Sequence, residues 1–180
     1  MDAAHIHLML NHVPVLGAVF GAILLGVGLL RSDESWQRIA LWTLIVTGVA
    51  GVVVYLTGEP AEELVEGAAG FSHDAVERHE EIAAWAMYTG GGVGAAALGA
   101  VAWFRSRALP RGLMTGILVL NLGLVGVMAW TANSGGKVSH PELRGETAAA
   151  VRSAEDAEHG VPASGGEEEE EAEGHAAGGG

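Results

Sequence analysis

The residues in this chain best suited to chemistry are its histidines. There are eight of them and no cysteine, which excludes disulfides, thiolate nucleophiles, zinc–thiolate sites and iron–sulfur ligation. His159 and His175 lie in an acidic C-terminal stretch and read as solvated. The other six, His5, His7, His12, His73, His79 and His140, come from three separate segments. Neutral imidazole is a good ligand for iron, copper and zinc near neutral pH. The first reading is therefore a haem iron held by two of these imidazoles. A second is a divalent ion held by His73, His79, Glu77 and Glu81, or copper held by Met9 with His5 and His12. A third is an acid–base relay through His12 and Glu59. The fourth treats all six as interfacial polar groups that bond headgroups, water and neighbouring carbonyls.

Spacing narrows the choice only in part. If the N-terminal segment is helical throughout, His5, Met9 and His12 share one face at intervals of four and three, and His7 points elsewhere. Pro14 suits the first turn of a helix, or else kinks a longer one that begins near Asp2. His79 falls in line with Val76, Ile82, Ala83 and Ala86, a mostly apolar stripe directed at neighbouring helices. Asp74, Glu77, Arg78 and Glu81 form the wetter side of that segment.

The elements that must position these groups are long apolar runs. Four span residues 13–30, 39–57, 82–104 and 112–132, each about 18 to 23 residues, enough to cross a hydrocarbon core of roughly 30 Å. Gly58, Glu59 and Pro60 close the second run as a helix stop. Lys and Arg remain on the cytoplasmic side. The short loops on one side carry Arg31, Arg38, Arg105, Arg107 and Arg111, whereas the connection over 59–81 has eight acids and only Arg78. Both termini and all six histidines are therefore expected on the outer side of a bacterial inner membrane. Trp36, Trp42 and Trp103 fall near the inner boundary, and Tyr55, Trp85 and Trp130 near the outer one, as aromatic belts do. Residues 1–10 lack a basic region before the first run, which argues against a cleaved signal peptide. The formal charge of −13 is concentrated in residues 146–180, which hold ten acids against Arg152 alone. No nucleic-acid partner is suggested.

In a sequential up-down bundle the first and third helices occupy opposite corners. With neighbours about 10 Å apart the diagonal is roughly 14 Å, space for a planar ring between two imidazoles. His12 and His79 are then the expected axial ligands of one haem b, with Arg78, Lys137 and Arg144 placed to meet its propionates. His5, His7, His73 and His140 are the remaining candidate metal ligands. Small residues repeat at intervals of four (Gly17 and Gly21, Ala22 and Gly26, Gly90 and Gly94, Ala95 and Gly99, Gly112 and Gly116). In lipid such spacing lets helices approach closely. Asn121, midway along the fourth run, is expected to bond a neighbouring helix. No phosphate loop, Ser–His–Asp order, zinc-protease spacing or short paired-carboxylate motif is present, so independent catalysis is not expected.

The stretch His7, Leu8, Met9, Leu10, Asn11, His12, Val13, Pro14 resembles the opening of a family of bacterial four-helix membrane proteins of unknown function. That pattern has two histidines five apart and a proline two residues after the second. His7, His12 and Pro14 match it; Leu8 departs, because the family usually has proline there. Thr57–Gly58, and Gly135–Gly136 with His140, also look like that family, and the resemblance covers residues 5–145. It implies an architecture and no activity. The plan is also similar to four-helix b-type cytochromes, in which ligand pairs often lie at two depths. Here only His12 and His79 fit such roles, and no histidine lies on the inner side.

The expectation is thus an all-α polytopic membrane protein. Residues 1–145 form an up-down bundle of four spans with both termini outside, and residues 146–180 form a disordered acidic tail. It binds one haem b and exchanges electrons with a periplasmic redox protein or respiratory-complex subunits. The alternative is a non-enzymatic membrane subunit or a copper- or zinc-binding protein. Because the tail has too little apolar area to build a core, deleting 160–180 should leave membrane insertion and the detergent-phase thermal midpoint nearly unchanged.

Overall fold

A computed structural model describes residues 3–62 and 72–139. His140, Arg144, His159, His175 and the acidic stretch 146–180 lie outside the described residues. The described chain is helical: α1 (Ala3–Leu10), α2 (His12–Arg31), α3 (Glu34–Leu56), α4 (Gly58–Glu62), α5 (His73–Trp103) and α6 (Arg111–Ser139).

Local signals explain the boundaries. Asn11 separates α1 from α2 but keeps right-handed helical angles, φ −61° and ψ −24°. Its N–H donates to the His7 carbonyl at 2.9 Å. Pro14 sits in the first turn of α2, where its missing N–H costs least. At the other end of α2 the chain reverses within two residues. Ser32 adopts a left-handed conformation (φ 52°, ψ 36°), and the Asp33 N–H donates to the Gly28 carbonyl at 2.9 Å. The Asp33 carboxylate then caps α3 by accepting from the Ser35 N–H at 2.9 Å. Ser72 caps α5, its hydroxyl oxygen accepting from the Ala75 N–H. α3 ends at Leu56, as the stop read from Gly58, Glu59 and Pro60 predicts, and the same segment then begins a short helix with Pro60 in its first turn. The long helices also run beyond the apolar runs. α5 starts at His73 rather than 82, and α6 ends at Ser139 rather than 132.

The contacts fix an up-down topology. α2 packs on α3, α3 on α5, α5 on α6, and α6 returns to α2, so α2 and α5 occupy opposite corners. Every neighbouring pair runs antiparallel. Gly17 meets Thr47, and Gly21 meets Leu44. Gly48 lies against Gly90 and Gly94, and Gly90 against Leu124 and Met128. Asn121 Nδ2 donates to the Ala18 carbonyl at 2.9 Å, joining α6 to α2 as expected of a mid-helix amide. The core consists of Leu25, Leu41, Leu44, Met114, Ile117 and Leu124, with Ala18, Ala40 and Ala97 where helices draw close.

Small residues divide into two groups. A Cβ on Gly48 would stand 2.9 Å from the Gly90 carbonyl oxygen and 3.1 Å from the Gly94 Cα. The α3–α5 crossing is therefore backbone on backbone. Gly26, Gly99, Gly112 and Gly116 have nothing within 4 Å at that position, so their spacing does not serve contacts inside this bundle.

Outside this interior the surface is apolar. Phe20, Ile23, Leu30, Val46, Val49, Leu56, Leu98 and Val119 are exposed along the helices. A soluble monomer rarely exposes so continuous an apolar surface. Among the described residues three helices are long and apolar enough to cross a membrane: His7–Arg31, Glu34–Leu56 and Arg111–Val138. α5 is as long as the others, but its middle is largely glycine and alanine, which add little hydropathy.

Gly48→Ala should lower stability by about 1–3 kcal/mol, because the added methyl has only backbone to displace. Gly99→Ala should leave it unchanged. Thermal midpoints of the two variants in one detergent provide the check.

Candidate functional site

Antiparallel packing brings α1, the start of α2, α4, the start of α5 and the end of α6 to one end of the bundle. His5, His7, His12, His73 and His79 all lie there. The arginines of the two short connections lie at the other.

Within this histidine end, His7 and His79 lie near enough for the charge of one to act on the other. The buried stripe of α2 includes Pro14 and Ala18. Followed back by helical steps through half-buried Asn11, it reaches His7, which turns towards the C-terminus of α3. There His7 Nδ1 lies 3.1 Å from Thr57 Oγ1. The Thr57 hydroxyl donates its own hydrogen to the Val54 carbonyl at 2.8 Å. It is left only lone pairs for His7, so His7 Nδ1 must be the donor. The proton of a neutral His7 is therefore on Nδ1, and Nε2 carries a lone pair.

His79 repeats the arrangement on the opposite helix pair. Its Nδ1 is 2.9 Å from Ser134 Oγ, and Ser134 donates to the Thr131 carbonyl at 2.8 Å. His79 Nδ1 is again the donor and Nε2 the free base. The ring rests on α6 at Gly135, where a Cβ would come within 3.1 Å of its Cε1. A side chain there would displace the imidazole. Burial holds the His79 pKa below its ordinary 6.5, and the charge of nearby His7 lowers it further, against a smaller opposing effect of the Thr131 carbonyl. His79 is therefore a neutral base at neutral pH.

An imidazole whose Nδ1–H is held by a hydroxyl or carbonyl, with Nε2 exposed as a lone pair, has the orientation that metal sites impose on their histidines. His7 and His79 reach this state from different elements and through different hydroxyls.

The other sequence candidates are placed differently. His12 is exposed, and its Nδ1 lies 3.0 Å from the Leu8 carbonyl of its own helix. This also fixes its proton on Nδ1. His5 and Met9 share that exposed face, so the predicted alignment of His5, Met9 and His12 points away from the bundle. His73 is exposed at the first turn of α5. Arg78 lines a shallow groove of about 500 Å³ with Glu77, Glu81, Trp85 and Trp130. Lys137 lies in the last turn of α6. Among the described residues no three His, Asp or Glu side chains converge as a metal-binding group. The assembled unit is a pair.

Sequence reasoning did not assign roles to Thr57 and Ser134, and it named His7 only among the secondary metal candidates. Thr57 and Ser134 sit in stretches that read as helix ends, where a hydroxyl attracts no notice. The inward turn of His7 was recoverable from its register with Pro14 and Ala18. No family model, curated protein or solved structure matches the chain.

Since the folded pKa of His79 lies below that of the unfolded chain, the unfolded state takes up the proton first as pH falls. Stability should be full above about pH 6.5 and decline as pH falls through that value towards the folded pKa. Thermal midpoints measured from about pH 8 to 5 should show this loss, and His79→Asn should flatten it.

Proposed function

We propose that this chain is a four-span protein of a bacterial inner membrane, histidine end outward, that holds one haem b between His7 and His79. In this reading it exchanges electrons with a periplasmic redox protein or with subunits of a respiratory complex. The observation that carries the proposal is the pair of imidazoles, each with Nδ1–H engaged by a hydroxyl and Nε2 left as a base. A bare zinc ion favours four protein ligands, whereas haem iron takes four nitrogens from its own macrocycle and two axial groups from the protein. Two imidazoles at one end of the bundle, near enough for the charge of one to act on the other, suit the second requirement. When bound, haem supplies one-electron transfer. Thr57 and Ser134 would orient the two imidazoles that hold the haem, and Arg78 and Lys137 would supply cations for its propionates at the same end.

His7 thus takes the role that sequence spacing gave to His12. The apolar exterior and the five arginines at the opposite end support the membrane placement and its orientation. Glycine and alanine in α5 suit the reading in which it crosses as the fourth span beside the other three, since small residues favour close helix association in lipid.

A second reading is a copper- or zinc-binding membrane subunit. The exposed face of His5, Met9 and His12 at the same end favours it, because imidazole with thioether suits copper.

Spectra of detergent-purified protein expressed with ample haem distinguish these readings. A Soret band with a sharp reduced α band is expected in the wild type and in His12→Ala. It should be lost in His7→Ala and in His79→Ala. A band that depends on His12 and not on His7 would contradict the assigned pair. Stoichiometric copper or zinc without a Soret band would select the second reading.

A further inference from the structure

The end of the bundle opposite the histidines carries a second built feature. Arg38, half-buried on α3, is the fastener of the α5–α6 connection. Its Nη2 lies 2.6 Å from Glu34 Oε1, 2.9 Å from the Phe104 carbonyl and 3.1 Å from the Arg107 carbonyl. Glu34 is thereby engaged, and the turn after α5 is pinned to the start of α3. The pinned turn bears Arg105 and Arg107, both exposed. Neither guanidinium has a hydrogen-bond or ion-pair partner among the described residues. Together with Ser35 and Ser106 they line an open groove of about 400 Å³.

Three arginines thus face one groove against a single carboxylate already committed to one of them. Trp36 follows Ser35 and Trp103 lies two residues before Arg105; both are exposed, 39% and 74%, as aromatic residues of an interfacial belt are. Basic pockets between helices on the cytoplasmic face are suited to acidic lipid headgroups. Paired guanidiniums bind phosphate oxygens in a fork geometry that an ammonium does not reproduce.

We propose that this groove is a binding site for the headgroup of an anionic phospholipid, with the phosphodiester between Arg105 and Arg107. Ser35 and Ser106 meet the polar part of the headgroup, and the acyl chains run past Trp36 and Trp103. The site rests on the chain lying in a bilayer and is independent of the haem reading.

The test uses the purified full-length protein in neutral detergent, titrated with phosphatidylglycerol, phosphatidylcholine or inorganic phosphate and read by native mass spectrometry. Phosphatidylglycerol should bind and phosphatidylcholine should not. Each arginine near an anionic headgroup adds a factor of about five, so R105Q/R107Q should bind about thirtyfold more weakly at low salt. Arg31→Gln, at the same end but outside the groove, should bind as the wild type does. R105K/R107K should recover only part of the affinity. Equal binding of phosphatidylglycerol by R105Q/R107Q and wild type would overturn the proposal, as would equal binding of the two lipids. Competition by inorganic phosphate at the lipid's own concentration would assign the groove to a soluble phosphate instead. Recovery of the chain from the soluble fraction without detergent would remove the membrane placement and this site with it.

Discussion

Packing in this bundle obeys two opposing demands on each helix. The side turned inward must be small enough for backbones to approach, and the side turned outward is large and apolar. Gly48 against Gly90 and Gly94 is the tightest expression of the first demand, and exposed Phe20, Leu30, Val46 and Leu120 express the second. In water this distribution would be unfavourable, because burying glycine while exposing leucine forgoes most of the hydrophobic contribution. In lipid it is sensible. The outer side chains remain in an apolar medium, and association comes from close packing and a few interhelical hydrogen bonds. Asn121 with the Ala18 carbonyl is one such bond. Gln37 with the Gly28 carbonyl, at 3.1 Å, is another near the arginine end.

The same topology creates the histidine pair. An antiparallel ring of four helices brings the start of α5 beside the end of α6, and α1 continues α2 over the end of α3. His79 thereby meets Ser134, and His7 meets Thr57. In both cases a hydroxyl gives its hydrogen to a carbonyl one turn back in its own helix. This local bond, common for Ser and Thr in helices, converts the hydroxyl into an acceptor and so sets the histidine tautomer. The tautomer follows from helix geometry. What it offers outward is a pair of basic nitrogens at one end of a membrane-suited bundle.

Much of the architecture was legible in the sequence because its signals are physical and long. Four runs of 18 or more apolar residues, separated by arginines or acids, admit few alternatives to helices. Pro14, Asp33 and Ser72 mark the starts of helices by their ordinary chemistry. α5 is built so heavily from glycine and alanine that it falls short of its neighbours in apolarity although it packs as their equal. α4 was obscured because Gly58 and Pro60 read as a stop when they also suit a first turn. His5, His7, His12, His73 and His79 share one end of the bundle, as the sequential topology predicts, and His12 was singled out among them by its depth along the helix axis. Depth along the axis does not give rotation about it, which leaves His12 exposed and turns His7 towards Thr57. Thr57 and Ser134 lie 50 and 55 residues from the histidines they orient, a relation that helical spacing alone cannot reveal.

The central claim is that His7 and His79 both carry their proton on Nδ1 and present an unprotonated Nε2. Side-chain NMR of isotope-labelled histidine in the metal-free protein, at a pH where His79 is neutral, measures this directly. Both rings should show a protonated Nδ1 and a lone-pair Nε2, and Thr57→Val or Ser134→Ala should release the corresponding ring to a mixture of tautomers. A protonated Nε2 on either ring in the unmodified protein would contradict the account.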